Sequence, residues 1–406
     1  MGNLRTFSSL KNPVFRLYYC GMLGQMAAMN MQMVVRSLLT YRISGSAAIL
    51  GLQSLAHSIP MLILSLFGGV IADRVQKKYI LLIGQAGSAV VAMSIALALT
   101  FNYLSAERAG SWWILIIAAV IQGSVMGFMM PSRQAIIGEI VGAEQLMNAV
   151  ALNMLGMNVL RFIAPALAGF LIDIYSFKAV YFITTCLYLF AVIFISFMPL
   201  TSTTNIHKSN ALMELKDGLR YVFHEPTILL ILGFALVLVV LSRPYHFLLP
   251  IFTDDILKVG ATGLGILVSA SGVGAIIGSI FLASLPNRKR GLMLLISGII
   301  LGLALIGFAF SETWGLSLVL IAFIGLGDTG RATLANTLVQ YYVADEYRGR
   351  VMSFLIMEFG LMSFGVFFAS LLAEAIGVQW SIGGLAIGLT LLSIAAFFGR
   401  RLRKMD

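Results

Sequence analysis

FGGVIADRVQKKYILL, residues 67–82, decides the fold. It sets Asp73, Arg74, Lys77 and Lys78 between two long apolar runs, in a chain with few charges elsewhere. Of 406 residues, 59% are hydrophobic and 11% charged, and the mean hydropathy is +0.96. An ordinary soluble domain carries about 25% charged residues. A soluble fold of this length would need far more polar surface to cover its core. The charged knot therefore reads as a turn outside a bilayer, and the runs on either side as membrane spans.

Working outward, apolar runs long enough to cross fall at 14–42, 47–71, 79–104, 112–138, 146–173, 177–199, 227–250, 262–285, 291–310, 314–342, 350–375 and 379–399. A crossing helix needs about 20 such residues. The fold class expected is all-α, a polytopic membrane protein with twelve transmembrane helices. Lys and Arg choose the side, because positive loops stay in the cytoplasm. Arg5, Lys11, Arg16, Lys77, Lys78, Arg288, Lys289, Arg290, Arg348, Arg350 and the tail GRRLRKMD share one side. Only Arg42, Arg108, Lys178 and Lys258 flank the other. Both termini are thus expected in the cytoplasm, in an inner membrane of bacterial type.

The formal net charge of +10 is scattered through short loops, so no basic domain for nucleic acid is expected. Cys20 and Cys186 lie in apolar runs and form neither a CxxC nor a metal site. The N-terminal segment lacks a small-residue cleavage pattern and is not read as a cleavable signal. No phosphate loop occurs: SGVGAIIGS lacks the Lys-Ser/Thr pair and lies within an apolar run. No cofactor is expected, and the assembly expected is a monomer.

Pro199 ends the sixth run, and TSTTNIHKSN follows as the one clearly polar linker. ALMELKDGLRYVF then places Leu212, Leu215, Leu219 and Val222 on one helical face, with Asn210 as a cap. A helix along the membrane surface fits this pattern. The domains expected are 1–199, a linker at 200–226, and 227–406. The halves also align without gaps: 142–173 falls on 343–374, matching Glu144 to Asp345, Val150 to Val351 and Asp173 to Glu374. Parallel six-span repeats are related by an axis along the membrane normal, and transporters built this way bind substrate between the halves.

Gly69-x-x-x-Asp73-Arg74-x-x-Lys77-Lys78 resembles the loop signature G-x-x-x-D-R-x-G-R-R/K of the major facilitator superfamily, with Gln76 where the pattern has Gly. RFIAPALAG in span five resembles a relaxed antiporter signature G-P-x-x-G-G, with Ala164 and Ala168 replacing two glycines. PSRQAIIGEIVGAEQLMNAVALN, GLRYV and VGATGLGILVSASGVGAIIGS are similar to the branch holding macrolide efflux proteins and enterobactin exporters. The resemblance implies two pseudo-symmetric six-helix bundles. It implies that Asp73 sits near the start of span eleven, with Arg348 and Arg350, and helps close one side. Gly69, Asp73, Arg74, Lys77, Lys78, Pro165 and Gly169 are on this basis gating candidates. The family's span-four arginine is not matched, because Ala119 stands there.

Charges inside spans cost at least ~2.5 kcal/mol each at the bilayer centre and are functional candidates. They are Arg36, Arg161, Arg243, Asp328, Arg331 and Glu358. The resemblance places spans one, four, seven and ten along the cavity. Asp328 and Arg331, three apart, share a helical face and suit a structural or gating pair. Glu358 has no basic neighbour at three or four residues' distance, and an unpaired embedded carboxyl takes up a proton readily. It is the candidate proton carrier, with pairing to an arginine of another helix as the alternative. His57 reads as a hydrogen-bonded packing residue rather than a relay. Four arginines against two acids favour an amphiphile with anionic or polar groups, unless Arg36 and Arg243 snorkel outward. Met22, Met26, Met29, Met31 and Met33 crowd span one, either as packing or as an adaptable binding surface.

The function expected is export of amphiphilic small molecules (drug, macrolide or siderophore class) by proton antiport and alternating access. A facilitator-fold importer or uniporter is the alternative. A membrane enzyme would need a convergent nucleophile and base, and neither HExxH nor GxSxG occurs. A non-transporting receptor or scaffold is distinguished by substrate flux.

Overall fold

The computed structural model describes residues 7–200, 211–285, 288–403 and 405. Among these, the regular structure is all helical. Six helices come first: α1 (Pro13–Ser44), α2 (Ala47–Arg74), α3 (Lys77–Thr100), α4 (Trp113–Ile140), α5 (Ala143–Ile174) and α6 (Phe177–Ser196). After the linker, of which 201–210 and the Asn210 cap lie outside the described residues, come α7 (Ala211–His224), α8 (Pro226–Ser242) and α9 (Pro244–Ile251). α10 (Gly260–Ser284), α11 (Arg290–Ala309), α12 (Trp314–Tyr342), α13 (Arg348–Ile376), α14 (Val378–Phe398) and the short α15 (Arg400–Arg403) complete the chain.

Ten described segments are long and apolar enough to cross a bilayer, with α8 and α9 counted together as Pro226–Ile256. The remaining two crossings are α1 and α13. α1 spans 32 residues, about 48 Å at the usual rise, but carries Gln25, Asn30, Gln32 and Arg36. α13 spans 29 residues, about 44 Å at the usual rise, with Glu358 within it. With them the crossings number twelve.

The seventh apolar run is not one continuous helix. α8 stops at Ser242 and α9 begins at Pro244, with Arg243 between them. Proline lacks the N–H that would continue the ladder, and its ring clashes with the preceding turn. A π-helical turn, Phe252–Ile256, ends the segment.

Two compact units result. Unit 1 comprises Met1–Ser44 and Ala56–Lys208; unit 2 comprises Gly45–Leu55 and Ser209–Asp406. In unit 1, Asn12 caps α1, its Oδ1 accepting from Val14 N–H at 2.9 Å, while its Nδ2 donates to the Ile140 carbonyl at the end of α4. The core there gathers Phe15, Tyr18, Met22, Met26, Met126 and Met129. In unit 2, the Glu374 carboxylate accepts from Ser46 Oγ at 3.0 Å and from Ala48 N–H at 3.2 Å, so an anion faces the first turn of α2. α7 docks on the start of α13. Tyr221 stacks on Tyr347 at 4.1 Å, and its hydroxyl accepts from Ala344 N–H. Val222 is buried and Leu219 is exposed.

One crossing recurs in both units. In unit 1 a Cβ on Gly123 of α4 would lie 2.0 Å from the His57 carbonyl oxygen of α2. In unit 2 a Cβ on Gly325 of α12 would lie 1.9 Å from the Ser271 carbonyl oxygen of α10. Spans two and four, and spans eight and ten, thus meet backbone to backbone, as small residues permit in membranes.

Candidate functional site

The two units treat their embedded cations differently. In unit 1, Arg36 of α1 lies with its Nη1 3.3 Å from His57 Nδ1 of α2. The His57 ring also bonds the Ala119 backbone of α4. A neutral imidazole has one donor and one acceptor, so it donates to the Ala119 carbonyl and accepts from Arg36. Ala119 and Gly123, four apart, are the small residues that let α2 come this close. Tyr181 and Tyr188 of α6 complete the surroundings of Arg36. Tyr188 donates to Gln32 Oε1 at 3.0 Å, and the buried Tyr181 hydroxyl has no hydrogen-bond partner among the described residues. No carboxylate pairs with Arg36 among the described residues.

Arg133 of α4 is a further embedded cation. It lies within the apolar run 112–138, close to its basic end, so counting by loops absorbs it into the flanking positives. Its Nη2 lies 3.5 Å from both Met26 Sδ of α1 and Met157 Sδ of α5. The Tyr18 hydroxyl donates to its backbone carbonyl. Arg161 is exposed on α5 and makes no ion pair among the described residues.

In unit 2 the cations share an anion. Asp328 of α12 takes Arg243 Nη2 on Oδ2 at 2.9 Å and Arg331 Nη2 on Oδ1 at 3.1 Å. Arg331 Nε reaches the same Oδ1 at 3.3 Å. Arg243, between α8 and α9, turns its side chain to Asp328 of α12, so it does not snorkel outward. The exposures are 18% for Arg243, 16% for Asp328 and 5% for Arg331, deep enough that one lost partner would leave a costly charge. Glu358 of α13 lies in the field of Arg331 and Arg243 without forming an ion pair. Its Oε1 is buried with no hydrogen-bond partner among the described residues.

Of the gating candidates, Gly69 and Asp73 lie on α2, with side chains outside the described residues. Arg74 is exposed, and Pro165 and Gly169 are buried in α5. Lys77 pairs with Glu139 at the end of α4. Lys78 Nζ donates to the carbonyl oxygens of Ser196, at 2.8 Å, and Met198 at the end of α6. A cation there complements the negative end of the helix dipole. Two surface grooves, one on α6 around Cys186 and one between α8, α13 and α14 around Gly365, are lined by uncharged residues and hold none of these groups.

The family model described as transmembrane secretion effector matches residues 4–406. The chain is 25% identical over 370 residues to the staphyloferrin A transporter of Staphylococcus aureus, covering 89% of each chain. It is 23% identical to macrolide efflux protein A of Streptococcus pyogenes, covering 86% of each. It is 25% identical to the enterobactin exporter EntS of Escherichia coli, covering 82% of this chain and 76% of that one. Among solved structures, the nucleoside transporter NupG superposes with a TM-score of 0.72 at 15% identity, over 95% of this chain and 99% of that one.

Proposed function

Because the chain belongs to the major facilitator superfamily of membrane transporters, as a transmembrane secretion effector, we propose that it exports amphiphilic small molecules of the drug, macrolide or siderophore class by proton antiport. The relatives' names support the direction and the cargo class. The positive flanks support an inner-membrane protein with both termini in the cytoplasm. It works as a monomer, without nucleic acid, by alternating access.

The observation that carries proton coupling is Glu358, a half-buried carboxyl with one unpartnered oxygen beside two arginines that already share Asp328. When protonated, Glu358 leaves that cluster one positive charge in excess; when ionised, it balances the cluster. A unit change of charge in a low-dielectric site is a large energetic event. Asp328, held by an arginine on each oxygen, stays ionised and acts as the fixed counter-charge. Antiport then requires that proton and substrate cross on separate strokes. Lys77 and Lys78, which hold the ends of α3, α4 and α6 together, keep unit 1 rigid while Asp73 and Arg74 serve the gate.

Flux into inside-out vesicles, with and without an imposed pH gradient, tests this reading. Uptake of a macrolide accelerated by an acidic interior is expected. Equal flux with and without the gradient would replace antiport by the uniporter reading.

A further inference from the structure

We infer that Arg133, with the Met26 and Met157 thioethers, is a binding site in unit 1 for the anionic head of an amphiphile. This rests on the export reading and names the class of cargo. A guanidinium offers five N–H donors in a planar fork suited to carboxylates and sulfonates. Here the only side-chain acceptors at Arg133 among the described residues are two methionine sulfurs at 3.5 Å, and thioethers are weak acceptors. Arg36 already has an imidazole acceptor, and Arg243 and Arg331 share a carboxylate. Arg133 is therefore the least satisfied of these cations. It is also half-buried rather than sealed, so a ligand can reach it.

The setting fits the rest of an amphiphile. Met22, Met26, Met126 and Met129 belong to the adjoining core, with Met29 and Met157 packed against it. Unbranched thioethers re-pack around ligands of varied shape. A charged fork within an adaptable apolar wall would recognise a molecule by its anionic group and tolerate variation in its body. The three helices that form the site, α1, α4 and α5, all belong to unit 1.

Two dyes of nearly the same aromatic skeleton test it: anilinonaphthalene sulfonate, an anion, and phenylnaphthylamine, which is neutral. The full chain is titrated with each in phosphatidylcholine nanodiscs, as wild type, Arg133→Gln and Arg133→Lys. Arg133→Gln should weaken the sulfonate about tenfold, roughly 1.4 kcal/mol, and leave the neutral dye unchanged. Arg133→Lys should keep part of the sulfonate affinity. Unchanged sulfonate binding, or an equal loss for both dyes, would overturn the assignment. Should Arg133→Gln not fold, arginine modification of the wild type decides the matter. The sulfonate should shield Arg133 from phenylglyoxal and the neutral dye should not; equal labelling with both would overturn it. Binding is read without any gradient, so its outcome is independent of whether the vesicle assay finds proton coupling.

Discussion

Unit 1 holds its two embedded arginines, Arg36 and Arg133, against neutral groups, and unit 2 holds Arg243 and Arg331 against a carboxylate. Arg36 leans on His57, and Arg133 on two methionines. Arg243 and Arg331 grip the two oxygens of Asp328. The same residue type in the same kind of helix is thus under different obligations. An arginine that shares a buried carboxylate is part of a network that fails when one member goes. An arginine among neutral acceptors remains open to another anion. On the binding role proposed for Arg133, the difference separates arginines that hold the fold from one that takes a ligand.

The largest effect that could break this contrast is at Asp328. Asp328→Ala leaves Arg243 and Arg331 without their shared anion, and should destabilise unit 2 by about 3–5 kcal/mol. Thermal unfolding in detergent should show this as a large drop in Tm. Little change would mean that the bridge is not structural.

A second test asks whether the units are alike where they should be. Gly123→Ala and Gly325→Ala each put a methyl into a backbone carbonyl about 2 Å away. Each should cost about 1–3 kcal/mol by the overpacking of a tight crossing. Similar Tm losses would confirm equivalent crossings, and a loss confined to one would separate them.

The smallest expected stability change is at Arg36. Arg36→Met removes an embedded cation that has no carboxylate and keeps much of the length. Relief of desolvation opposes the orphaning of His57 Nδ1, so the net change should fall within about 1 kcal/mol. A loss as large as that of Asp328→Ala would erase the distinction between the units.

Much of this was legible in the sequence. The long apolar runs mark the crossings, because few charges interrupt them. Asp328 and Arg331 are paired by their spacing alone, since residues three apart share a helical face. Arg243 was not readable as their third partner, because nothing local ties it to a residue on another helix. His57 reads as a hydrogen-bonded packing residue, but its partners, Arg36 and Ala119, come from two other helices and nothing local names them. Arg133 could have been found: it lies inside the fourth apolar run, and only its closeness to the basic end disguised it.

The central claim is that Glu358 carries the proton that drives export. Vesicles holding wild type or Glu358→Gln can be compared in two modes: macrolide uptake driven by an acidic interior, and macrolide exchange at equal pH on both sides. Glu358→Gln should retain exchange at close to the wild-type rate and lose acceleration by the gradient. A Glu358→Gln protein that still responds to the gradient as the wild type does would contradict the account.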